Sequence, residues 1–207
     1  MLFRSEIRFA DDGFVDVFVG TQSTGQGHET AYVQLTVDQL GVPGEKVRIV
    51  QGDTDIIPMG GGTGGARSLY SEGQAILKTA TTVIEKGRRA ASEALEAALP
   101  DIQFELGRFS VVGTDRGIDI ITLATTQRAR AAKGEDVTTL DAAEIAAIDH
   151  HTFPNGCHIA EVEIDPETGV VEVLRYSVTD DVGKAVNPSS AKRISARSVA
   201  SPPVASR

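Results

Sequence analysis

The chain has 207 residues, 41% hydrophobic and 24% charged, the balance of a soluble globular protein of one or two domains. Its formal charge of −9 is uneven, because residues 191–207 hold Lys192, Arg193, Arg197 and Arg207 without an acid and leave 16 bases against 29 acids elsewhere. So acidic a body makes a poor partner for nucleic acid or an anionic membrane, and the single Cys157 excludes an intrachain disulfide or a four-cysteine iron–sulfur site from this chain alone.

In chain order, Arg4, Glu6, Arg8, Asp11 and Asp12 interrupt any apolar run at the start, so no signal peptide is expected. No later stretch has the length and apolarity of a membrane span, and the expected location is cytoplasmic. Residues 14–19 are β-branched and aromatic after the turn signal Asp11-Asp12-Gly13, which predicts a strand paired back on residues 6–10. From Glu29 to Leu40 the apolar pattern is mixed, but Gly41 and Pro43 form a helix stop. Residues 47–50 predict a short strand. After Ser68 an i, i+3, i+4, i+7 stripe through Ile76, Ala80, Val83, Ala91 and Leu95 predicts a long helix ending before Pro100, its charges a solvated face. Short strands are expected at 109–112 and 118–121, no structure is assigned to 131–136, and a hairpin is expected from residues 158–164 and 170–178.

The central unit therefore reads strand, loop, helix, strand, loop, helix. Its two loops, residues 21–30 and 60–68, each empty into a helix start, where free N–H groups and the helix dipole favour an anion. Two such turns suggest a ligand with more than one phosphate or oxyanion. Gly60, Gly62 and Gly65 satisfy G-x-G-x-x-G, yet residues 52–59 separate them from the strand and no Lys follows, so neither a Rossmann nor a P-loop reading fits. A flexible connector before a helix remains an equal alternative. Gln26 can donate and accept at once, Thr24 or Thr30 can cap the helix, and a lone His28 is more commonly a partly exposed loop residue. No second His or Cys stands at metal-ligand spacing, so no protein-ligated zinc is expected. His150 and His151 read as surface residues, Cys157 as an inert half-buried thiol, and Asp53, Asp55, Asp180 and Asp181 as turn carboxylates.

Residues 20–30, 50–55 and 60–68 together closely resemble the molybdenum-binding large subunit of the xanthine dehydrogenase and aldehyde oxidase family, in the version of the bacterial carbon monoxide dehydrogenase-type large chains. Residues 85–88, 109–115, 152–160, 180–183 and 187–188 continue the resemblance in order, so that it spans about residues 5–188. It implies an α+β fold of mixed sheets with packed helices, in which residues 1–188 are a partial molybdopterin-binding domain. It also implies a molybdenum hydroxylase, with molybdenum on a pterin dithiolene in the cytosine dinucleotide form, acting on an aldehyde, a heterocycle or carbon monoxide. Electrons would leave through an iron–sulfur small subunit and an FAD medium subunit. By resemblance, Gln26, Gly27, His28 and Thr30, with Gly62, Thr63, Gly64, Gly65, Ala66, Arg67 and Ser68, contact the cofactor, and Asp181 lies in a third loop near it. No catalytic residue and no metal ligand is assigned in this chain.

The departures from the family pattern are specific. Beyond Asn187-Pro188 the expected Gly-Gln and His-Gly-Gly stretch, and the Gly-x-Gly-Glu motif carrying the catalytic base, are absent. Residues 189–207 have instead the Ala, Arg, Ser and Pro composition of a shifted reading frame and are expected to be disordered. The expectation is a truncated or frameshifted fragment, inactive alone. The competing readings are a non-catalytic remnant or binding module that keeps only the fold, and an unrelated nucleotide-binding domain using residues 60–65.

Overall fold

The turn at residues 11–13 closes a hairpin in which β1 (Leu2–Phe9) pairs antiparallel with β2 (Val15–Val19), from Ser5 opposite Val19 to Phe9 opposite Val15. Described by the computed structural model are residues 2–147 and 152–188, in two compact units, Met1–His151 and Thr152–Arg207. In the first, β3 (Val47–Val50) joins β2 in parallel and β7 (Ala142–Ala147) joins β1 antiparallel, giving the strand order β3-β2-β1-β7.

Helix α1 (His28–Leu40) connects the parallel pair, and it ends as expected at Gly41, left-handed at φ 61, whose N–H donates to the Val37 carbonyl at 2.8 Å. A Cβ at Gly41 would stand 2.1 Å from the Gly107 nitrogen, so only glycine fits where the two turns touch. The buried face of α1 is His28, Tyr32, Thr36 and Leu40, spaced by four. Three of these are not aliphatic, which is why the apolar pattern looked mixed.

Helix α2 (Ser68–Ala94) is the spine of the unit. It buries Glu72, Ala75, Ile76, Thr79, Ala80, Val83, Gly87, Ala90 and Ala91 against β1, β7 and α1. The hydroxyls of Ser5 and Thr79 meet at 2.6 Å inside this seam. At its far end Gly87 makes room for Phe109, since a Cβ there would stand 2.2 Å from the ring. Phe109 belongs to a second sheet, β4 (Ile102–Glu105), β5 (Arg108–Val111) and β6 (Gly117–Asp119), and one core joins it to Val17, Tyr32, Ile76 and Leu123.

One local expectation is corrected, and two segments given no expected structure are ordered. The strand foreseen at 118–121 stops at Asp119, whose carboxylate accepts from the N–H groups of Ile121 (2.8 Å) and Thr122 (3.2 Å) and starts helix α3 (Ile120–Ala132). That helix runs into the 131–136 stretch, to which no structure was assigned, and a turn follows it. Ala-rich β7 is a strand in spite of its helix propensity, because β1 offers it a free edge from Leu2 to Ile7.

The second unit is the hairpin of β8 (Asn155–Ile164) and β9 (Val171–Asp181), with one irregularity at Glu161/Val162. Its turn is held by Asp165, which accepts from Glu167 (2.8 Å) and Thr168 (3.1 Å). β9 continues past residue 178 through Asp180 and Asp181, which were expected to be turn carboxylates. Cys157 is exposed rather than half-buried, since no described residue of this hairpin is buried. His150, His151 and residues 189–207 lie outside the described residues. Among the described residues no helix is long and apolar enough to cross a membrane. The architecture is α+β, with mixed sheets and packed helices.

Candidate functional site

Adjacent parallel strands deliver the segments that follow them to the same end of a sheet. The loops after β2 and β3 are therefore neighbours, and hydrogen bonds tie them together. Gly62 N–H donates to the Gly20 carbonyl at 3.2 Å. The Thr63 hydroxyl accepts from Gln22 N–H at 3.0 Å and donates to the Gln22 carbonyl at 2.7 Å. Ser23 N–H donates to Gln51 Oε1 at 3.0 Å, and Gln51 Nε2 donates to Glu29 at 2.6 Å.

The glycines of this region fall into two kinds. Gly20 and Gly60 form a seam, since a Cβ on Gly20 would stand 2.6 Å from the Gly60 Cα and one on Gly60 2.5 Å from the Gly20 oxygen. Gly25, Gly27, Gly62, Gly64 and Gly65 instead face open space. At Gly27, Gly62 and Gly65 φ is positive, and Ala66 shares that conformation at φ 53 without being glycine, a local strain at the start of α2.

Between the loops lies a pocket of about 340 Å³ lined by Gln26, Gly27, His28, Ala31, Thr63, Gly64, Ala66, Ser68 and Leu69. Both helix starts border it, and neither carries a side-chain cap: Gly27 precedes α1 and Arg67 precedes α2. Neither Thr24 nor Thr30 caps α1. Thr24 instead donates through its hydroxyl to Gln26 Oε1 at 3.2 Å, and its N–H donates to the same oxygen. The Gln26 acceptor is thus spent within the loop, so this side chain offers only its amide N–H groups outward.

His28 is buried, not partly exposed, with its ring 5.3 Å from that of Tyr32 and its Nδ1 without a partner. Burial lowers its pKa against the opposing charge of Glu29, so the imidazole is neutral at pH 7. Arg67 donates from Nη2 to the Gly61 carbonyl at 3.0 Å, while its Nε is buried without a partner. Of the remaining residues assigned by resemblance, Gly62, Gly65 and Arg67 lie in the second loop beside the pocket wall. Thr30 lines a separate groove along α1 with Glu29, Val33, Gln34, Val37 and Gly44. Asp181 ends β9 in the second unit, where its carboxylate accepts from Gly183 N–H at 3.1 Å.

Two residues behind the loops escaped the sequence reading. Glu72 is fully buried and accepts the Gly20 N–H at 3.2 Å, and burial pushes its pKa up to about 8. The Tyr32 hydroxyl meets that of Thr21 at 2.9 Å, and burial raises its pKa as well. A signal was present in the first case, because Glu72 stands four, seven and eight residues before Ile76, Thr79 and Ala80, on the apolar stripe.

Residues 4–193 match the model of the molybdopterin cofactor-binding domain. The chain belongs to that family. It is 36% identical over 177 residues to 6-hydroxypseudooxynicotine dehydrogenase complex subunit gamma of Paenarthrobacter nicotinovorans, covering 85% of this chain and 22% of that protein. It is 33% identical over 183 residues to the carbon monoxide dehydrogenase large chain of Hydrogenophaga pseudoflava, covering 88% of this chain and 23% of that one. Among solved structures, Cu,Mo-CO dehydrogenase superposes with a TM-score of 0.79 at 31% identity over 92% of this chain and 24% of its own. Quinoline 2-oxidoreductase from Pseudomonas putida 86 gives 0.76 at 30% identity, over 93% and 25%. The chain thus spans about a quarter of the length of these relatives.

The donor set fits such a cofactor. Two uncapped helix starts, open glycine backbone, a guanidinium and an amide N–H₂ all present donors, which suit phosphate and pterin oxygens. Among the described residues no three His, Cys, Asp or Glu side chains cluster as a metal-ligand set.

Proposed function

We propose that this pocket grips the cytosine dinucleotide form of molybdopterin, and that the chain is the cofactor-gripping portion of a molybdenum hydroxylase large subunit working with an iron–sulfur small subunit and an FAD medium subunit. The convergence of two uncapped helix starts on one cavity carries this reading, because a pyrophosphate needs adjacent anion sites. The N–H groups of Gly27, His28 and Thr30 and those of Thr63, Gly64, Gly65, Ala66 and Ser68 bind its oxyanions, while Gly62, whose N–H is given to the Gly20 carbonyl, shapes the turn that presents them. Arg67 neutralises their charge. Gln26 donates from its amide, and neutral His28 adds a hydrogen bond without a charge; Asp181 is assigned to the cofactor by resemblance alone.

When bound, the cofactor supplies the redox chemistry that transfers a water-derived oxygen to substrate and takes up two electrons. This chain's residues hold and orient it. None of the nine residues lining the pocket is a carboxylate, and general-base assistance is typically worth about 10²- to 10⁴-fold in rate, so turnover by this chain alone is not expected. Relatives bearing the names of nicotine, carbon monoxide and indole-3-acetaldehyde align with the same region. Selection among an aldehyde, a heterocycle and carbon monoxide is accordingly assigned to residues beyond these loops.

The test is to purify the chain from a host that makes molybdopterin, quantify molybdenum and pterin, and identify the nucleotide released by acid. Copurifying pterin with cytidine monophosphate, and no dye reduction with aldehydes, purines or carbon monoxide, is the expected outcome. Metal-dependent turnover by the chain alone overturns the incomplete-site part of the proposal. A chain free of pterin overturns the grip itself.

A further inference from the structure

Glu72 occupies a costly position. It lies one turn into α2, fully buried, and among the described residues no arginine or lysine pairs with it. Its one hydrogen bond is from Gly20 N–H to Oε2 at 3.2 Å, while Oε1 has no partner. An aliphatic side chain would fill that space without burying a polar group, so the carboxyl needs a reason to be there.

Gly20 supplies the reason, because three structural elements meet at it. Its N–H goes to Glu72 on α2, its carbonyl accepts from Gly62 of the second loop, and its α-carbon rests against Gly60. The next residue, Thr21, reaches Tyr32 on α1. We infer that Glu72 is the positioning residue of the pocket: by holding the Gly20 N–H it fixes where the first loop meets the second, and thereby how the starts of α1 and α2 stand around the cavity. The consequence for ligand retention rests on the cofactor reading, whereas the geometry does not. The neutral acid suits this task, since a carbonyl oxygen satisfies the N–H and no charge is left uncompensated beside the Tyr32 hydroxyl.

The experiment compares wild type, Glu72→Gln and Glu72→Leu by amide hydrogen exchange at Gly20 and Gly62, and by pterin content after expression in a molybdopterin-making host. Glu72→Gln keeps the carbonyl acceptor and should leave exchange and pterin content at the wild-type level at pH 6.5. Glu72→Leu should exchange about tenfold faster at both glycines, the weight of one buried hydrogen bond, with α2 still protected around Val83. Wild-type exchange at Gly62 should also quicken, beyond the intrinsic effect of pH, between pH 6.5 and 8 and level off above that, and that of Glu72→Gln should not. Unchanged exchange in Glu72→Leu, or the same excess pH dependence in Glu72→Gln, overturns the proposal. Should Glu72→Leu unfold, the Glu72→Gln pH profile decides alone. Altered exchange with no pterin in any variant would keep the positioning role and remove the cofactor reading.

Discussion

The two-loop unit and the β8–β9 hairpin differ in how their order is maintained. The hairpin is paired from Asn155 opposite Asp181 to Ile164 opposite Val171, yet none of its described residues is buried, and Ile159, Ile164, Val171 and Leu174 are all more than half exposed. The two-loop unit pairs less regularly, but its loops are pinned from below by Tyr32, Glu72 and Phe3, all of them fully buried. A ladder of backbone hydrogen bonds gives shape, and burial gives that shape its free energy: a two-stranded hairpin alone is marginal in water. The chemistry-bearing loops stand on the part that has a core.

This contrast is most easily broken in the core. Phe109→Ala should cost about 3–5 kcal/mol in denaturant unfolding, because it empties a site packed by Gly87 and Phe104, while Ile159→Ala should cost less than about 0.5 kcal/mol. Equal losses would mean that the hairpin draws on burial after all.

Titration separates the units next. Glu72, with its pKa raised from 4.5 to about 8, binds a proton more tightly when folded, so its contribution is full below pH 4.5 and is lost as pH rises toward 8. The slope approaches about 1.4 kcal/mol per pH unit. His28, lowered from 6.5, acts in the opposite sense below that pH, which leaves pH 6.5 to 8 as the clean window. Stability should fall across it in wild type and stay level in Glu72→Gln, as read by the unfolding midpoint.

The loops themselves sharpen the comparison. Gly60→Ala drives a methyl into the Gly20 backbone and should cost about 1–3 kcal/mol together with bound pterin. Gly64→Ala points its methyl into open space and should change stability by less than about 0.5 kcal/mol while still reducing pterin content. The smallest effect belongs to the hairpin turn. Asp165, its pKa lowered by the N–H groups of Glu167 and Thr168, supports that turn above the usual aspartate pKa and releases it in acid, so exchange at Thr168 should quicken below pH 4 and α2 should not respond.

Much of the two-loop unit was legible because its signals are local. Gly41 and Pro43 stop α1, a 3.6-residue stripe marks α2, and Asp11-Asp12-Gly13 closes the first hairpin. Where tertiary context decides, the sequence misleads: alanines of β7 become a strand on the edge of β1, and Ile120 and Ile121 turn helical because Asp119 caps them. At the site, the loops were visible in their glycines, but the burial of His28 depends on the Tyr32 ring, and Glu72, although its place on the apolar stripe marks it as buried, gains a partner only when Gly20 is placed against it. The glycine pattern also concealed a division of labour, since Gly60 packs backbone on backbone whereas Gly64 and Gly65 face open space.

The central claim, that both loops grip one cofactor, is tested most directly by comparing amide exchange of the chain purified from a molybdopterin-making host with that of the chain from a host unable to make it. The account predicts added protection at residues 26–31 and 62–68 together, and none along α3. Protection confined to one loop, or appearing elsewhere while both loops exchange as before, would contradict it.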